Sequence, residues 1–345
     1  MIRIRNSFFV ALCAVSLMAG LAREAAAAEA HYKASKQIPI GGGSGWDYLS
    51  ADAEGRRLYV THRTKVVVID MDENKIVGEI ADTPGVHGFV TVPDLKRGFS
   101  SNGQENKSSV VDLETLKTVM KVPTGANPDA LLFEPKSGEI WTFNGRGKTA
   151  TAFDAKTGKV IAEAIPLEGK PESGAADPEA GRIYVNLEDK SEIAVLDVKE
   201  HKLLEKWPIA PGKSATGLAI DVKLHRLIIG CSNSKMVMMD STNGKVVSTL
   251  DCGQGVDAAA FDPGTQLAFT SNGADGTVTI VHEDTPDKFT VVQTLKTELG
   301  ARTMIVDLVS HRLYLASAKF QPAADGKRPM IIPGSMKVLV YALKT

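Results

Sequence analysis

The sequence predicts an all-β chain folded as a seven-bladed β-propeller of four-stranded antiparallel blades, and three observations predict it. First, a strand ending in Asp recurs at residues 66–70, 108–112, 150–154, 193–197 and 236–240. The Asp residues are spaced by 42, 42, 43 and 43, and each is followed five residues later by Lys: Lys75, Lys117, Lys159, Lys202 and Lys245. Second, short apolar strand cores at 58–60, 140–142, 183–185, 227–229, 267–269 and 313–315 each follow an acidic residue: Asp52, Glu134, Asp177, Asp221, Asp262 or Asp307. Val92 holds the place in the second unit, so seven anchors run through the chain. Third, the last unit has no fourth strand of its own, while residues 33–40 read as a strand with no unit of its own. Four short strands at ~40–45 residues per repeat make a propeller blade. The N-terminal strand is expected to complete the seventh blade and close the ring, leaving no open sheet edge between first and last blades.

Taken from the N terminus, residues 1–28 read as an export signal. Arg3 and Arg5 precede an uncharged apolar run at 8–21; Arg23 and Glu24 follow, then 25–28 is all Ala. The run is short for a membrane span, and the basic, apolar, small-residue order is that of a secretory leader. Cleavage after Ala28 leaves a single domain, 29–345, with an expected periplasmic location. No other apolar run is long enough to span a membrane. Loss of three Arg and one Glu takes the formal charge from -1 to -3.

Within each unit the four strands follow from local chemistry. The third unit places them at 130–133, 139–143, 149–153 and 160–164. Asp at the start of the last turn accepts backbone N–H bonds from residues just ahead. Gly158 and Gly244 supply the positive φ that a hairpin turn requires. Period-2 patterning and Val/Ile/Thr content exclude helical repeats of similar length. Tyr59, Trp141, Tyr184 and Tyr314 fall mid-strand, where they pack between blades.

Composition narrows the function. The balance of 40 basic against 41 acidic side chains speaks against nucleic acid as a partner. No CxxCH or CxxC occurs, which excludes a c-type haem and the usual structural zinc site. Cys231 and Cys252 flank the third strand of one blade, about two strand spacings (~10 Å) apart, beyond disulfide reach unless the loops bend. No nucleophile elbow, phosphate loop or HExxH helix is present.

These residues resemble the YVTN-repeat β-propeller family, including its YncE-like group. The likeness is carried by Gly125-Ala-Asn-Pro128, by Asp177-Pro178 with Ile183-Tyr184-Val185-Asn186, and by 66–70. The C-terminal stretch resembles exported bacterial members sometimes labelled gluconolactonase-like: 313–315, then Pro322, Arg328, Pro329 and Pro333-Gly334-Ser335 before 338–340. The resemblance implies the propeller but no single reaction. Single-stranded DNA binding, found in the YncE-like group, is a weak third reading here because the chain is acidic.

Topology points to one face. Residues five before each anchor should ring the channel mouth: Asp47, His87, Asp129, Glu172, Thr216, Asp257 and Arg302. Asp47, Asp129, Glu172 and Asp257 could hold a divalent cation, calcium or magnesium by their oxygen ligands. His87 is the candidate general base, and Arg302 the candidate fork for a carboxylate or phosphate. Trp46, beside Asp47, should lie at the same mouth. The loops after the second strands contribute Asn102-Gly103, Asn144-Gly145 and Asn272-Gly273, expected as Asn-Gly turns. The last such loop, 318–335, is long and should cover the mouth. The leading functional expectation is a binding platform for a small ligand or a periplasmic protein. The alternative is a metal-dependent, lactonase-type hydrolase using the same rim.

Overall fold

The computed structural model describes residues 31–43, 45–322 and 329–344. The export leader expected at 1–28, and Arg328 of the long loop, lie outside them. Among the described residues the strands form seven four-stranded antiparallel sheets, with no α-helix. Blade three shows the plan: Pro128–Glu134 innermost, then Glu139–Asn144, Thr149–Asp154 and Val160–Pro166 outermost. The seventh sheet holds Met304–Val306, Leu313–Ser317 and Lys337–Leu343, and takes Tyr32–Pro39 as its outer strand. Ile38 there pairs with Val338. The N-terminal strand therefore closes the ring.

Blades pack face to face, so their middle strands are buried on both sides. Val66, Val67, Val68 and Ile69 are all buried in succession, as in strands covered on both faces. Outer strands expose apolar side chains instead, such as Val77 and Val119. The mid-strand aromatics reach the next blade. Tyr59 stacks on Phe89 at 4.7 Å, Trp141 on His201 at 5.4 Å, and the Tyr184 hydroxyl donates to the Ser241 carbonyl. Tyr314 packs in a core shared with Leu58 and Val60 of blade one.

The repeat's acids build its turns. Asp112 Oδ1 accepts the N–H groups of Glu114 and Thr115, and Asp70 Oδ1 those of Asp72 and Glu73. Gly158 and Gly244 take φ of 71° and 73°. The upstream anchors do the same at the first turn: Asp52 accepts from Gly55, Glu134 from Ser137, Asp177 from Ala180. They also lock blades together. His311 Nδ1 lies 2.6 Å from Asp262, and Arg56 donates to Asp307 at 2.9 Å across the closure. Blade two, which has Val92 in place of an acid, turns through a short 3-10 segment, Pro93–Leu95.

One local expectation is corrected. Gly103 and Gly145 do not carry the positive φ of an Asn-Gly hairpin; Asn106 and Lys148 do. Asn144 and Asn272 are buried at the ends of second strands. Their amides donate to Thr149 and Thr151, and to Thr277 and Thr279, stitching the second strand to the third. Cys231 and Cys252 are free thiols, and burial pushes them up to about 12 and about 11.

Candidate functional site

The seven innermost strands surround a channel, and a cavity of about 240 Å³ inside it is lined by Ser50, Val90, Leu131, Gly174, Leu218 and Ile305 among others. Its wall is mostly small and apolar; charge is concentrated where the chain enters each innermost strand. Hydroxyl groups fix that entry. Ser101 donates to the Asp129 carbonyl, Ser173 to the Thr216 carbonyl, Thr216 to the Val256 carbonyl and Ser271 to the Arg302 carbonyl. Each bond ties one blade to the rim residue of the next or to its neighbour. Thr216 thus spends its hydroxyl on the fold.

The rim residues form three groups. In the first, His87 Nδ1 lies 2.7 Å from Asp47 Oδ2 and 3.6 Å from Asp129 Oδ1. One ligand atom from each of these residues falls within 4.8 Å of the others. In the second, Lys170 sits 3.2 Å from Glu172 and is also paired with Glu188. In the third, Arg302 donates to Asp257 at 3.1 Å and to the Trp46 carbonyl at 3.3 Å. Its guanidinium lies 5.8 Å from the Trp46 ring centre. The four carboxylates therefore do not form one cage. Asp47 and Asp129 are joined through His87, while Glu172 and Asp257 each face a basic partner.

Trp46 is at the mouth, as its position beside Asp47 implied. Its Nε1 donates to Thr303 at 3.1 Å and its ring tilts against Phe320 at 6.3 Å. Phe320 pairs with Ile331 across the described part of the long loop, which brings that loop to the rim beside Trp46.

Burial, and then neighbouring charge, sets the protonation of the rim. Burial pushes Asp129 up to about 7, with the Asp47 charge adding to it. Glu172 rises to about 8 through burial and then Asp129. Asp257 rises to about 6 by burial, with Arg302 opposing. Burial works against a charged His87, but its hydrogen bond to Asp47 and the Asp129 charge outweigh it and raise its pKa. Tyr48, lining the channel below, is held well above its ordinary value by burial and by these same acids. Burial is the larger cause for each of the three acids, and nearby carboxylates add to it for Asp129 and Glu172.

Sequence reasoning named every rim position of the ring but missed Lys170, Glu188 and Tyr48. Lys170 precedes Glu172 by two residues and Tyr48 follows Asp47, so adjacency was their only signal. Glu188 reaches the rim from the end of a second strand, which the innermost-strand register does not index.

No protein-family model matches the chain. Among curated proteins it is similar to the uncharacterized protein YncE of Salmonella typhi and to that of Escherichia coli O157:H7. Each is 28% identical over 165 residues, 43% of this chain and 46% of the relative. The matched stretch thus spans about half the length of these relatives. Among solved structures it is similar to Kuenenia stuttgartiensis hydrazine synthase, with a TM-score of 0.71 over 79% of this chain and 92% of that one. At 14% identity that likeness is one of fold. No helix among the described residues is long and apolar enough to cross a membrane. By its repeat and its seven closed blades the chain is a β-propeller, similar to YncE over the stretch they share.

Proposed function

We propose that this propeller is an exported binding platform that takes a small cationic ligand at the channel mouth. The observation that carries the reading is the charge imbalance there. Among the described residues, the ion pairs at the mouth set Asp47, Asp129, Glu172, Glu188 and Asp257 against His87, Lys170 and Arg302. A ligand cation would favour the charged forms of these acids, which burial disfavours. The order of residues 1–28 supports an exported, periplasmic setting.

The hydrolase reading is less well supported. His87 Nδ1 is engaged by Asp47. Its Nε2 faces Gly103 so closely that a Cβ there would stand 2.7 Å away. A base would have to act through Nε2, which lies beside Gly103. An acidic mouth also argues against single-stranded DNA, which needs a basic track.

The test is the thermal midpoint of chelator-treated protein against manganese, magnesium, putrescine, acetate and phosphate. Ligands that bind only the folded state raise the midpoint saturably. The cations should do so, the anions should not, and Asp129→Asn combined with Glu172→Gln should abolish the effect. A rise with the anions alone, or a cation shift that survives the double substitution, would sink the proposal.

A further inference from the structure

We infer that Asp47, His87 and Asp129 form a site for one divalent transition-metal ion, held by His87 Nδ1 and one oxygen of each carboxylate. The inference rests on the cation-binding reading of the mouth and gives its ligand a chemical class.

Geometry comes first. Ligand atoms bonded to a common ion at ~2.1 Å stand ~3.0–3.4 Å apart, for right-angled to tetrahedral arrangements. The observed separations from Nδ1, 2.7 Å to Asp47 and 3.6 Å to Asp129, bracket that range. An ion would take the place of the hydrogen bond between His87 and Asp47.

Asp129 supplies an independent observation. The residue is 8% exposed, its side chain points at the His87–Asp47 pair, and among the described residues no hydrogen bond reaches its carboxylate. The 3.6 Å approach of His87 is too long to be one. A buried carboxylate without a donor is costly and calls for a partner.

The three ligands are also pre-positioned by backbone. They lie at the entries to the innermost strands of blades one, two and three. The Asp47 N–H donates to Thr61 at 3.1 Å and the Tyr48 N–H donates to the His87 carbonyl at 3.0 Å. Ser101 holds the Asp129 carbonyl. Little ordering cost would remain for the ion to meet.

The ligand set selects the ion. Four carboxylates, as the sequence implied, would suit calcium or magnesium. An imidazole with two carboxylates suits zinc, manganese or iron instead. Three protein ligands leave further positions open toward the mouth, where water or a second ligand can bind.

Calorimetric titration of chelator-treated protein with zinc, manganese and magnesium tests the inference. Zinc and manganese should each bind at one ion per chain, with magnesium at least ~100-fold weaker. His87→Gln and Asp129→Asn should each weaken zinc at least ~100-fold. Should either variant fail to fold, nitrogen-15 spectra of the wild-type histidines decide: zinc must shift the Nδ1 signal of His87. Magnesium binding as tightly as zinc, zinc affinity unchanged in both variants, or an unmoved His87 signal would overturn the inference. Putrescine binding without zinc binding would overturn the metal site and leave the cation platform standing. Binding of neither would overturn both.

Discussion

Gly103 leaves the space that the His87 imidazole occupies. A Cβ at residue 103 would fall 2.7 Å from Nε2 and 2.9 Å from Asn127 Oδ1. Gly103→Ala should therefore push the imidazole off the Asp47–Asp129 pair. It should weaken zinc by about 10-fold or more while the fold survives, as calorimetry and circular dichroism would show. Glu283 offers a second test away from the mouth. It is buried beside Asp221, and burial followed by the Asp221 charge pushes it up to about 8. Its folded-state pKa lies above its unfolded value, so its ionisation penalty is absent at acid pH and grows as pH rises to about 8. Glu283→Gln should stabilise the protein at about pH 9 by on the order of 1–3 kcal/mol and have little effect at about pH 4, measured by urea unfolding. At this scale the sequence disclosed which residues line the rim, because their register repeats. It did not disclose how they pair. Whether Asp257 meets Arg302 or Asp47 depends on rotamers and ring curvature, and spacing encodes neither.

The strand that closes the ring joins residues far apart in sequence. Tyr32 in Tyr32–Pro39 is 1% exposed, donates its hydroxyl to the His311 carbonyl at 2.8 Å and meets Phe269 edge-on at 5.6 Å. It thus ties the N-terminal strand to blades six and seven. Tyr32→Ala should cost about 3–5 kcal/mol, the price of emptying a large aromatic site. A loss below ~1 kcal/mol in urea unfolding would show that closure does not depend on this anchor. Strand positions were legible because burial on both faces of a blade leaves continuous apolar runs, and Asp-to-Lys turns punctuate them. The predicted outer strand at 33–40 differs from the observed one by a single residue at each end. The Asn-Gly pairs were misread because the same dipeptide that favours a tight hairpin also suits another use. There Asn144 and Asn272 send buried amides across the sheet, and Gly103 and Gly273 make room for His87 and Arg302.

For the molecule as a whole, the buried acids give stability a definite pH dependence. Asp257, Asp129 and Glu172 have folded-state values of about 6, about 7 and about 8, all above their unfolded values. Their contribution is complete below about pH 4 and is lost as pH rises through about 6 to 8. Turn acids such as Asp112 and Asp154 shift the other way, held down by bonds to Thr115 and Thr157. Their contribution is present above their ordinary range and lost in stronger acid. The thermal midpoint should therefore peak near about pH 5 and fall toward about pH 8, and a bound cation should flatten the alkaline limb. The measurement that bears most directly on the mouth as a cation site is an anomalous difference map from crystals soaked in manganese. The account predicts one dominant peak per chain among Asp47, His87 and Asp129, within ~2.3 Å of a ligand atom from each. Manganese peaks on other surface carboxylates with nothing at the mouth would contradict it.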